Sequence, residues 1–171
     1  MMGTSQSVLE LVAAARANAK TSEDRVSKIR ILMDGQNGCE AQVEELRAAT
    51  VALELAAIDI FTLFEARMQH HFKRGPFSRK LKSLLLEAGQ TDLADRVHQY
   101  YLAINVLKHG KGASYRELLN APSSLFVVKP TKEIVADEAH TPAGLVDVCV
   151  PGFFDGLTTT ILDAYNFLEN R

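Results

Sequence analysis

Apolar side chains return at spacings of three and four along most of this chain, and glycine or proline breaks the rhythm at a few points. Residues 7–20, rich in Ala and Leu, read as a first helix, and the polar cluster Thr21-Ser22-Glu23-Asp24 is suited to cap a second over 25–33, with Val26, Ile29 and Met33 on one side. Gly35-Gln36-Asn37-Gly38 is a clear break. The pattern then becomes far stronger over residues 40–72, where Leu53, Ala57, Phe61, Phe64 and Met68 share one side, until Gly75-Pro76 stops it. A short helix over 78–88 ends at Gly89, and Thr91 caps the next, which runs to His109 and stops at Gly110. Ser114, with Glu117 three residues later, reads as a capping box opening a short helix through Leu119.

Beyond Pro122 the texture changes. Leu125-Phe126-Val127-Val128-Lys129 and Leu145-Val146-Asp147-Val148-Cys149-Val150 are β-branched-rich runs of strand length, separated by a long Pro- and Gly-containing connection. Pro151 suits a first helical position, and residues 153–170 complete the chain as a helix. The expected fold is all-α: an up-and-down helical bundle with a small two-stranded β-hairpin near the C-terminus. One domain covers 1–171, with N-terminal helices in 1–38, a central region in 40–120, the hairpin in 123–150 and a C-terminal helix in 151–171.

Composition narrows the classes. A chain of 171 residues with 47% hydrophobic residues can bury one good core. The net charge of −2 supplies no global field toward nucleic acid, so any basic site must be local. No apolar run has the length of a membrane span, and the N-terminus has no basic signal-peptide region. Cys39 and Cys149 have no neighbour at metal-ligand spacing, so a reduced, cytoplasmic protein with no cofactor is expected.

The chain is organised around residues 99–112, an amphipathic helix running into a polar, basic turn. On a helical wheel His98, Tyr101, Leu102, Asn105, Lys108 and His109 fall in one sector, with Asn105 and His109 one turn apart. A His at a helix C-terminus is by itself ordinary, being favourably placed against the dipole. On the long second-region helix Glu54, Ile58, Thr62, Glu65 and Gln69 share a narrow sector, which is either a solvent face or a ridge facing Asn105 and His109. A carboxylate there could orient the His109 ring. Met68-Gln69-His70-His71-Phe72-Lys73-Arg74 is a basic helix end. On a helix adjacent His side chains point about 100° apart, so His70 and His71 are not expected to chelate one metal.

Two of these stretches resemble the HEPN superfamily. Residues 58–66, with Thr62 three before Glu65 in an apolar helix, look like its first core helix; residues 104–112, with Asn105 and His109, look like its later motif. That motif opens with an Arg, then commonly a polar residue such as Asn, then a His. Here Ile104 stands where the Arg is expected, and an aliphatic side chain cannot fork a phosphate as Arg does. The resemblance implies a helical bundle, commonly a homodimer. It also implies RNA as substrate or ligand, with many members metal-independent endoribonucleases of toxin–antitoxin systems.

If the chain cleaves RNA, the 2′-hydroxyl attacks the adjacent phosphate. His109 then serves as acid or base, Asn105 holds the phosphate or the ring, and Lys108 offsets developing charge. Glu65, Thr62, Lys111 and Tyr101 would support or bind. The alternative is a catalytically silent HEPN-like module that binds a nucleotide or a partner protein such as an antitoxin.

Overall fold

Two long helices frame the molecule in the computed structural model, which describes residues 7–35, 39–121, 124–129, 144–150 and 152–171. Helix α1 (Val8–Gly35) has 28 residues and α2 (Glu40–Met68) has 29. Along α1 the inward positions Val8, Val12, Ala15, Ala19, Ser22, Val26, Ile29 and Met33 alternate steps of four and three. Along α2 Leu46, Ala49, Leu53, Ala56 and Ile60 do the same. This is the 3.5-residue period of paired helices, and the short link between α1 and α2 leaves them antiparallel along their length.

That seam corrects the expected division of the N-terminal region into two helices. Thr21-Ser22-Glu23-Asp24 lies inside one continuous α1. Ser22 occupies a seam position, Thr21 and Asp24 are exposed, and the Thr21 hydroxyl donates back to the Ala17 carbonyl at 3.3 Å. A polar cluster accommodated this way does not interrupt the backbone ladder.

Four further α-helices follow among the described residues: α3 (Phe77–Glu87), α4 (Thr91–His109), α5 (Ala113–Asn120) and α6 (Phe153–Glu169). Helix α1 packs on α2, α2 on α4, α4 on α6 and α6 on α1, closing a four-helix ring, while α3 and α5 lean on α4. Helix α4 is therefore central: Leu93, Val97, Tyr100, Leu102, Ile104 and Val106 are all buried although they point in many directions. Two arginines lock α6 in place through its three successive threonines. Arg16 donates to the hydroxyls of Thr158 (2.7 Å) and Thr159 (3.1 Å), and Arg96 donates to Thr160 (3.3 Å) and Asp163 (3.0 Å). No helix among the described residues is long and apolar enough to cross a membrane.

The expected β-hairpin is replaced by less. Among the described residues Val128 and Val146 form an isolated antiparallel bridge, flanked by hydrogen bonds from Lys129 N to Leu145 O (2.8 Å) and from Asp147 N to Val127 O (2.9 Å). Pairing stops there because the apolar side chains serve the bundle. Phe126 packs on Tyr100 and Phe153, with ring centroids 5.5 and 5.8 Å away, and Leu145, Val146 and Val148 are buried. Asp147 then folds back to accept from Cys149 N at 3.0 Å, a local turn that competes with a ladder. Pro151 and most of the connection between the two runs lie outside the described residues.

The 144–150 segment covers α2. The amide of Gly144, at φ +89°, donates to the Glu54 carboxylate, and the Cys149 thiol lies 3.5 Å from the Thr50 hydroxyl. Burial pushes the Glu54 carboxyl up from 4.5 to about 7, against the pull of the Gly144 hydrogen bond. Between those values the folded chain holds a proton that the unfolded chain releases, so stability contributed by Glu54 is full below the lower value and falls as pH rises through the upper. Glu54→Gln keeps an acceptor for Gly144 and removes this titration. Its thermal midpoint relative to wild type should rise from pH 4.5 to pH 8, by the equivalent of at most about 3 kcal/mol; a difference that stays flat with pH would contradict a buried carboxyl.

Gly156 is where α6 meets α4. A Cβ there would clash with the Tyr100 hydroxyl, and Tyr100, 1% exposed between Phe126 and Phe153, has nowhere to retreat. Gly156→Ala should destabilise by about 1–3 kcal/mol in denaturant melts, with partial relief in the Tyr100→Phe background.

Candidate functional site

Helix α4 is covered on most sides, and one stripe of its remaining surface comprises Asp95, His98, Tyr101, Asn105 and Lys108, ending at His109. The wheel sector read from the sequence is this stripe, apart from Leu102, which is buried. Much of the stripe is already engaged. The His98 ring stacks near Tyr101, with centroids 6.5 Å apart, and its Nε2 meets the Glu117 carboxylate at 2.8 Å. The Asn105 amide donates to the Ser114 hydroxyl at 3.3 Å. Helix α5 thus lies along α4, and two polar clasps set its register.

These clasps correct the capping-box expectation. Gly112 is the N-cap of α5, and Ser114 and Glu117 are inside the helix with their side chains turned to α4. With glycine at the cap no side chain meets the first turn, and the first backbone bond of α5 is Arg116 N to Gly112 O at 3.0 Å. The amides of Ala113 and Ser114 precede that bond and have no partner within the helix. Thr91 likewise begins α4 rather than capping it; Gln90 takes that place.

At the other end of the stripe α4 stops at Gly110, whose φ of +72° suits glycine and whose amide donates to Val106 O at 2.8 Å. Lys108, His109 and Lys111 are exposed around this turn, and Arg116 is exposed one turn into α5. Helix α2 packs on α4, and Lys108 is near enough to Glu65 for its charge to matter. Burial raises the Glu65 carboxyl and the Lys108 ammonium draws it back down. Thr62 is exposed on α2. The His109 ring makes no hydrogen bond or ion pair among the described residues, and no described carboxylate orients it.

Ile104 is 1% exposed. The position that matches the motif Arg is thus inside the core. Arg96 is no substitute, being held by Asp92 at 3.1 Å and by Thr160 and Asp163 of α6.

A second cluster was not expected from the wheel. Helix α2 gives way after Met68 to a single 3-10 turn, Gln69–His71, and the rings of His70 and His71 come to 4.3 Å between centroids at 34°. His71 Nε2 lies 3.3 Å from Glu169 Oε1 at the end of α6. The sequence carried no clear signal of it, since Phe72 continues the apolar spacing at i+4 from Met68 and packs on the core.

Comparison of the chain with protein-family models, with curated proteins and with solved structures finds no match in any of the three.

The buried position of Ile104 gives a prediction. Ile104→Arg should not create a phosphate fork; it should destabilise the fold by about 3–5 kcal/mol, because a guanidinium would sit unpaired in the core. A variant that melts like wild type would show instead that the side chain reaches the surface.

Proposed function

We propose that this chain is a HEPN-like binding module that takes RNA or nucleotide phosphate at the α4–α5 corner without cleaving it. The observation that carries this reading is the contrast at that corner. Lys108, His109, Lys111 and Arg116 are exposed around uncapped α5 amides, while the position of the motif Arg is an aliphatic side chain in the core. The first supplies what a phosphate needs: cations, and N–H groups at the positive end of a helix dipole. The second removes what cleavage needs, a fixed guanidinium on the scissile phosphate, and an unoriented His109 is a poor acid or base. The packing of the Thr62/Glu65 helix on the Asn105/His109 helix supports the HEPN-like reading, since these are the two stretches that carry the resemblance.

The test is fluorescence anisotropy with labelled single-stranded RNA of mixed sequence, in chelator, across a salt series. Wild type should bind with an affinity that falls with salt. Lys108→Ala/Lys111→Ala should weaken binding and flatten the log–log salt slope by about 0.7 for each phosphate the variant no longer neutralises. Identical slopes for the two proteins would remove the corner from RNA binding. The same incubations should leave the RNA intact; cleavage by wild type that His109→Ala abolishes would establish the endoribonuclease reading instead.

A further inference from the structure

We propose that His70, His71 and Glu169 form a binding site for one divalent transition-metal ion of the zinc type, joining the end of α2 to the end of α6. Each of the three offers a ligand atom, and these atoms all lie within 4.8 Å of one another. The 3-10 turn makes this possible, because it brings the two rings side by side instead of letting them diverge along an α-helix.

The distances suit the chemistry. Zinc bonds to imidazole nitrogen and carboxylate oxygen are about 2.0–2.2 Å, so two ligands of a tetrahedral ion stand about 3.3–3.4 Å apart. The His71 Nε2 to Glu169 Oε1 separation is 3.3 Å, long for a hydrogen bond between charged groups and matching that tetrahedral edge. The proton between them is the one a metal replaces, since zinc binds neutral imidazole and carboxylate.

The neighbouring ring is prepared in the same sense. His70 Nδ1 is 2.9 Å from the Arg67 carbonyl and donates to it, which leaves Nε2 with its lone pair. A backbone carbonyl on one ring nitrogen is the usual support for a ligating histidine, fixing tautomer and ring orientation. Two imidazoles and one carboxylate favour Zn2+, Ni2+ or Cu2+ over the oxygen-seeking Mg2+ and Ca2+. Three protein ligands leave the fourth tetrahedral position to solvent.

Calorimetric titration of the untagged protein with Zn2+, and its visible absorption with Co2+, test the site. Wild type should take up one equivalent of Zn2+ per chain, show the d–d bands of a four-coordinate Co2+ site, and melt at higher temperature with Zn2+ but not with Mg2+. His71→Ala and the conservative Glu169→Gln should each lose more than about tenfold in Zn2+ affinity, together with the Co2+ bands. His98→Ala, which breaks the other His–carboxylate pair, should keep both. Uptake by wild type no tighter than by His71→Ala or Glu169→Gln, or uptake abolished by His98→Ala, would overturn the assignment.

Discussion

Everything in this molecule is arranged by the burial of α4. A surface helix hides one stripe and shows the rest to water; α4 hides nearly everything, because α2, α3, α5 and α6 all pack on it. Tyr100, Leu102, Ile104 and Val106 point in different directions and are all buried. One polar stripe runs from His98 along α4 to its C-terminal end, where Lys108, His109 and Lys111 are exposed. The location of the corner thus follows from where the core is not.

The fate of polar residues in the bundle shows how much of this was legible. Helices expected over 40–72, 78–88, 91–109 and 153–170 were readable because of strong apolar periodicity, although the first ends at Met68 and the others are off by at most one residue at each end. The continuity of α1 was hidden because its seam is built partly from Ala15, Ala19 and Ser22, small residues that pair closely but carry little hydrophobic signal. The hairpin was overread because Leu125–Lys129 and Leu145–Val150 have strand composition, and composition says that residues are buried, not that they ladder. The stripe on α4 was legible from spacing alone. That Asn105 and His98 face α5 was not, since only the packed helix shows that Ser114 and Glu117 reach across instead of capping.

The same clasps give the corner its character. A helix C-terminus repels anions, and the last turn of α4 alone would be a poor phosphate site; Lys108 and His109 offset that negative end. The N-terminus of α5, a three-residue turn away, presents the opposite dipole end and amides with no partner within the helix. Opposed helix ends meeting at Gly110-Lys111-Gly112 yield a net attraction only if α5 is held in register. The Asn105–Ser114 and His98–Glu117 bonds supply that register. In the proposed phosphate-binding reading Asn105 acts through α5, by its hydrogen bond to Ser114.

A comparable logic holds at the far ends of α2 and α6, where the bundle must be closed without a loop between the two helices. The arginines on Thr158, Thr159, Thr160 and Asp163 fix the first half of α6 to α1 and α4. Its last turn is tied instead through Glu169 to His71, a pair whose strength depends on the charge of the ring. Bound as proposed, a metal ion would add its free energy to folding, because its bonds to these groups exist only in the folded arrangement. The interior of this protein is therefore held by packing, while the two proposed ion sites, the α4–α5 corner and the His70–His71–Glu169 group, lie at its charged extremities.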